Sequence, residues 1–307
     1  MARPTDPDDP GHAAHAAPAR PDGLWDAPVV LAATPIGNLA DATDRLKALL
    51  HTAELIAAED TRRTRHLCLA LGVHPEGRMV SLHEHNEAAR AEEIVAQAAE
   101  GVRVLVVSDA GMPGVSDPGF RVVGAAIAAD VDVTVAPGAS AVTTALALSG
   151  LATDQFTFAG FPPRKGPARR RLLERLVGEQ WTTVLFESPH RAAATVADLA
   201  EALGEDRPAA LCRELTKKHE EVLRGGLGDL ALQLQGRVLR GEVVLVVGGA
   251  DPAIEEVDPE VLAEEVLHRV EAGERLKVAA KEVAAAHGVS SRELYDAALA
   301  ARGSSAR

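Results

Sequence analysis

Five times in the first half of the chain a short apolar run is closed by turn residues and followed by an amphipathic stretch. The runs are "PVVLAA" (28–33), "ELIAAE" (54–59), "RMVSLH" (78–83), "VRVLVVS" (102–108) and "VDVTVAP" (131–137). Between them lie helical patterns such as "ATDRLKALL" and "NEAARAEEIVAQAAE". Strands buried on both faces read as continuous apolar runs, and helical crossovers join parallel neighbours. Residues 27–150 are therefore expected to form a doubly wound α/β domain.

The rhythm then loosens. Strands are expected at 156–161, 181–188, 207–214 and 241–249, with a further one at 219–225. Helices fit 167–178, 190–203 and 227–235. Residues 151–250 read as a second α/β domain with a mixed sheet. "ADPAIEEVDPE" is an acidic, proline-bearing linker. Beyond it, residues 259–301 form a small helical unit, in which Ser290 and Glu293 have capping-box spacing after an "HGV" break, and the pair of helices resembles a helix-turn-helix. Residues 1–26 hold prolines and aspartates but no hydrophobic segment, and read as a disordered tail rather than a signal peptide.

Aromatic residues make up 3% of the chain, so alanine, valine and leucine must fill the cores. No apolar run approaches a membrane span. The two cysteines, Cys68 and Cys212, make neither a disulfide framework nor a metal spacing, which points to a reducing cytoplasm. The net charge of −13 excludes nucleic-acid binding by bulk charge, so any such role must rest on local basic patches.

Ligands of open α/β sheets bind at the carboxyl ends of strands. "TPIGN", "SDAGMPGVSDPG", "APGAS" and "FESPH" all follow strands and together make a crevice. In the second of these, three glycines permit close approach, and Asp109 stands at the strand end, where its carboxylate can accept from a ribose or an amine. Asp117, before Pro118, is expected to cap the next helix. Ser140 is expected to cap another, as are Asp60 and Asn86. The G-x-G-x-x-G dinucleotide fingerprint is absent from the first loop. "SLHEHNE" supplies two imidazoles at most, so no metal is expected.

Two groups of cations stand out. Arg62, Arg63 and Arg65 project from the helix after the second run, as a solvated face or as phosphate forks. Between Arg164 and Arg175 there are six basic residues and one acid. Leu172, Leu173, Leu176 and Val177 would share the apolar face of that helix, leaving Arg170 and Arg171 outside and Arg164 and Lys165 in the preceding loop. This cluster opposes the charge of the whole chain, which favours contact with an RNA backbone.

Taken in order, "LAATPIGNLADAT", "AAEDTRRTRHL", "SLHEHNE", "SDAGMPGVSDPG", "APGASA", "FAGFPPRKGPARR", "FESPHR" and "RELTKKHEE" resemble the tetrapyrrole methylase superfamily, the class III S-adenosylmethionine methyltransferases, in its rRNA-modifying branch. The resemblance covers residues 28–300. It implies two α/β domains with S-adenosylmethionine in the cleft between them, a homodimer, and transfer to a ribose 2′-oxygen of a cytidine in the decoding region of 16S rRNA. It implies cofactor contacts at Pro35, Gly37, Asp109, Gly111, Met112, Ser140, Ala141, Ser188, Cys212 and Arg213. Methionine at 112 stands where a small polar residue is expected. A general base would assist the 2′-hydroxyl, and Glu59, Asp60, His83, Glu187 and His190 are its candidates. Methylation of a small molecule such as a tetrapyrrole, and a non-catalytic RNA-binding role, are the alternatives.

Overall fold

The computed structural model describes residues 23–251, 259–287 and 289–304. Its first sheet is built from β1 (Val29–Ala32), β2 (Leu55–Ala58), β3 (Arg78–Ser81), β4 (Val104–Val107) and β5 (Val133–Ala136), in the order β3-β2-β4-β1-β5. Every pairing in it is parallel. The three central strands are buried at every position, as their unbroken apolar runs require, whereas the edges β3 and β5 are partly exposed. One core lies on each face of the sheet, and both are filled largely by Val, Leu and Ala.

Local chemistry sets the helices. Thr43 caps α1 (Asp44–Thr52), its side chain accepting from the Leu46 N–H at 3.0 Å. Asp60 caps α2 (Thr61–Leu71), which Gly72 ends in the left-handed conformation. Asn86 precedes α3 (Glu87–Ala99) but does not cap it. Its Oδ1 accepts from the His83 N–H at 2.8 Å and its Nδ2 donates to the Ser81 carbonyl, so the side chain closes the turn behind it. Asp117 does not cap α4 (Phe120–Ala128) either. The helix begins after Gly119, whose φ of 139° favours glycine, and its free N–H groups are met from another element: Glu87 Oε1 accepts from Gly119 at 2.8 Å and from Arg121 at 2.9 Å. Ser140 precedes α5 (Ala141–Ser149) without a side-chain capping bond.

The second sheet holds β6 (Phe156–Phe158), β7 (Thr182–Glu187), β8 (Pro208–Arg213), β9 (Glu221–Gly226) and β10 (Val243–Val247), in the order β6-β7-β10-β8-β9. It is mixed, with β6 and β7 parallel and the other pairs antiparallel. Helices α6 (Pro167–Val177), α7 (Pro189–Leu203) and α8 (Leu227–Leu234) cover one face. The other face is covered by α5: Val142, Ala145 and Leu146 pack with Val184, Ala210, Val244 and Val246. This helix follows the last strand of the first sheet yet lies on the second, and so fixes the lobes against each other.

In α6, Leu176 is buried and Leu172 and Leu173 pack on the core, but Val177 is exposed at the helix end. A separate core joins α9 (Pro259–Glu271), α10 (Leu276–His287) and α11 (Ser291–Ser304). The Glu293 N–H donates to Ser290 Oγ at 3.4 Å, one half of a capping box. Most of the tail, most of the acidic linker and the glycine of "HGV" lie outside the described residues. Residues 24–26 are tied to the first lobe: Trp25 Nε1 donates to Thr52 Oγ1 at 2.9 Å and Asp26 pairs with Arg45 at 3.3 Å. Among the described residues no helix is long and apolar enough to cross a membrane.

Candidate active site

The loops after β1 and β4 are joined before they meet anything else. Thr34 and Gly111 exchange backbone hydrogen bonds of 2.9 and 3.0 Å, and the buried Thr34 hydroxyl donates to the Ser108 carbonyl. Gly111 has φ 85°, a left-handed conformation that favours glycine. Ile36 then enters the core shared with the second lobe. Gly37 faces that lobe directly: a Cβ would fall 2.8 Å from the Leu215 carbonyl oxygen. Its small size lets the first loop cross between the lobes.

The ends of β2 and β4 are tied by their own acids. Glu59 Oε2 accepts from the Asp109 N–H at 3.1 Å, and Asp109 Oδ1 accepts from the Asp60 N–H at 3.1 Å. The other oxygen of Asp109 pairs with Arg63 at 3.1 Å. Asp60 is held well below the usual carboxylate range, chiefly by hydrogen bonding to the Arg62 guanidinium at 2.8 Å.

These loops and the second lobe enclose a cavity of about 320 Å³. Glu59, Asp109 and Asp117 line one side. The second lobe contributes Phe161, Phe186, Val243 and Val244 together with Glu187 and Glu242, the first lobe adds Arg63 beside its acids, and Ile36 and Ala141 add further apolar surface. Phe186 meets Phe158 and Phe161 edge to face, with ring centroids 4.9 and 5.6 Å apart. Burial raises the Asp117 carboxyl to about 7, and the nearby charges of Glu59, Asp109 and Glu242 add to the shift, against a lowering hydrogen bond from Ser108. A cavity lined by carboxylates and by an aromatic and aliphatic surface suits a ligand with a cationic or hydroxyl-bearing end and a flat apolar end.

Of the residues singled out in the sequence, Glu59, Arg63, Asp109, Ala141 and Glu187 line this cavity. Pro35, Gly37, Asp60, Gly111, Met112, Ser140 and Ser188 sit in the loops around it. His83 and His190 are exposed at the starts of their loop and helix. Cys212 is fully buried beneath α5, its Sγ 3.9 Å from the Ala145 carbonyl, and burial pushes the thiol up to about 11. Arg213 turns to Glu221 at 3.0 Å and to the Arg240 carbonyl at 3.3 Å. The strand-end segment 241–244, beside Cys212 in the sheet, lines the cavity instead.

Glu187 has no exposed side-chain surface and no free oxygen. Oε1 takes Arg191 at 2.5 Å and the Ser188 N–H at 2.7 Å, and Oε2 takes the Thr195 hydroxyl at 2.7 Å. Arg191 and Arg169 reach out of this cluster to the carbonyls of Pro162 and Pro163. Arg169 also pairs with Asp198 at 2.6 Å, and only 13% of its side chain is exposed. One of the six cations of the basic cluster is therefore internal. It holds the loop on which Arg164 and Lys165 are displayed. Those two, with Arg170 and Arg171, are exposed and make no ion pair among the described residues.

Asp117 and the wall residues Phe161 and Phe186 are the site features the sequence reading missed. The "SDPG" stretch resembles a helix start, and only the distant Glu87 cap frees Asp117 for the cavity.

The class of this two-lobed α/β protein is that of the methylases: residues 28–231 match the model of the tetrapyrrole (corrin/porphyrin) methylases. Residues 255–302 match the RsmI C-terminal HTH domain. Ribosomal RNA small subunit methyltransferase I of Mycobacterium tuberculosis is 53% identical over 275 residues, covering 89% of this chain and 95% of that protein. The protein of the same name from Synechocystis is 40% identical over 270 residues, covering 88% and 96%. The chain belongs to the tetrapyrrole methylase family and, within it, to the ribosomal RNA small subunit methyltransferase I group. The same fold occurs in the methyltransferase CobJ, with a TM-score of 0.54 and 23% identity over 72% of this chain and 94% of that one. It also occurs in uroporphyrin-III-C-methyltransferase from Thermus thermophilus, with a TM-score of 0.51 and 22% identity over 72% and 93%.

Proposed function

We propose that this protein methylates the ribose 2′-oxygen of a cytidine in the decoding region of 16S rRNA, using S-adenosylmethionine. The observation that carries the reading is the cavity between the lobes, lined by carboxylates and aromatic rings, with the exposed cations of 164–171 displayed from the same second lobe that supplies the rings. The donor set fits the cofactor: carboxylates for its ammonium and hydroxyl groups, and Phe161, Phe186 and Val244 for its adenine. Asp109, Gly111, Ala141 and the loops holding Pro35, Gly37, Met112, Ser140 and Ser188 are the residues that would hold it.

When bound, S-adenosylmethionine supplies a methyl group on a sulfonium, so that an O–C bond forms as an S–C bond breaks. The protein's share is to orient the ribose, exclude water and take the 2′-hydroxyl proton. Asp117 suits the last task, since its carboxyl is raised to about 7 and it lines the cavity. Glu59 and Asp109 hold its neighbouring loops and keep negative charge beside it. Residues 27–150 and 151–250 act as the two jaws and 259–301 as an accessory contact to the subunit. A homodimer in the cytoplasm is the working form.

Transfer of label from methyl-tritiated cofactor tests the reading, with isolated small subunits, free 16S rRNA and a tetrapyrrole precursor as acceptors. Label on a ribose 2′-oxygen of a 16S cytidine is expected. Label on the tetrapyrrole alone, or no transfer despite cofactor binding, would overturn it.

A further inference from the structure

A second cavity, of about 410 Å³, lies on the C-terminal helical unit and is lined by Lys277, Lys281, Ser291, Arg292 and Tyr295. All five side chains are hydrogen-bond donors, and no carboxylate lines the space. Lys277 and Lys281 stand one turn apart on α10, beside the buried stripe of Ala280 and Ala284. Ser291, Arg292 and the half-buried Tyr295 come from the first turns of α11.

Several other charges of the unit pair with one another. Arg269 pairs with Glu282 at 3.1 Å and lies within 3.9 Å of Glu265 and Glu274, while His287 lies 3.4 Å from Glu265. Lys277, Lys281 and Arg292 make no ion pair among the described residues. Three cations gathered round one concavity repel one another, and in a chain of net charge −13 they form a local positive patch. An anion with several oxygens would relieve that repulsion and engage every lining donor.

We propose that this concavity binds backbone phosphate of the substrate RNA, an inference that rests on the rRNA reading above. In a helix-turn-helix on DNA, the first residues of the second helix enter the major groove. The corresponding groove of A-form RNA is deep and narrow. Here Ser291, Arg292 and Tyr295 therefore meet phosphates rather than base edges, and the contact sets position without reading sequence.

The test is the full chain carrying Lys277→Ala with Lys281→Ala, compared with Lys277→Arg with Lys281→Arg. Binding to naked 16S rRNA is measured across a salt series, with cofactor affinity measured in parallel. The alanine pair should bind about tenfold more weakly, with the slope of log affinity against log salt shallower by about 1.4 to 1.8. The arginine pair should restore the slope, and cofactor affinity should not move. KM for methyl transfer should rise with kcat unchanged. An unaltered slope would overturn the proposal. So would a loss seen only on protein-containing subunits, which would mark an acidic protein surface as the partner. Should the wild-type chain bind rRNA with this salt dependence yet transfer no methyl group, the enzymatic reading falls and the phosphate site stands.

Discussion

Glu59 and Asp109 clamp the ends of two adjacent strands: the Glu59 carboxylate accepts the Asp109 N–H at 3.1 Å, while the Asp109 carboxylate accepts the N–H of the residue after Glu59, also at 3.1 Å. Two acids side by side repel, and backbone donors with Arg63 offset that cost. The clamp fixes the loop that carries Asp117 into the cavity.

Asp109→Ala removes one half of the clamp and the Arg63 partner. Cofactor affinity by titration calorimetry is expected to fall at least about tenfold, or about 1.4 kcal/mol. Asp109→Asn keeps an acceptor for the Asp60 N–H and should lose less. Equal affinities for Asp109→Ala and the wild type would remove Asp109 from the site.

Asp117 gives opposite pH signatures for activity and stability. Its folded value of about 7 lies above the ordinary aspartate value of 3.8, so the folded state holds the extra proton between those limits. The stability it contributes is therefore lost as pH rises from about 4 to about 7. Asp117→Asn should gain stability relative to the wild type across that window in denaturant titrations. Its kcat should fall by about 10²- to 10⁴-fold, and the rise in wild-type rate through neutrality should vanish. A variant with the wild-type pH–rate profile would exclude Asp117 as the proton acceptor.

Which parts of this site were legible depends on the range of the interactions. The central strands and the loop positions follow from local patterns, because a buried parallel strand must be apolar throughout and its end must carry turn residues. Asp60 could be read as a cap because its partner is two residues away. Asp117 and Arg169 could not be assigned. Glu87 replaces the first as a helix cap by bonding Gly119, 32 residues further along the chain, and Asp198, 29 residues off, draws the second inward. Cys212 lies within β8, whose alternation places its side chain under α5, a helix from the other half of the molecule.

Glu187 is an anchor for the basic loop, and its loss should register first as instability. Glu187→Ala removes the partner of the partly exposed Arg191 and leaves the Ser188 N–H and the Thr195 hydroxyl without their acceptor. The expected cost is about 1–3 kcal/mol by equilibrium unfolding. A variant of wild-type stability with abolished methyl transfer would instead mark Glu187 as a group acting on the substrate.

Neighbouring arginines of α6 should separate into two kinds. Arg169 is mostly buried and bound to Asp198, Thr195 and the Pro163 carbonyl, whereas Arg170 and Arg171 are exposed. Arg169→Ala breaks a partly buried network and should lower the melting temperature. Arg170→Ala with Arg171→Ala removes two exposed charges. It should leave the melting temperature and cofactor affinity in place while making the salt slope of rRNA binding shallower by about 1.4 to 1.8. Filter binding at several salt concentrations and thermal unfolding of both variants decide the matter. An unchanged slope for the double variant would reduce this pair to a solvated helix face, because two lost phosphate contacts must release two fewer condensed counterions.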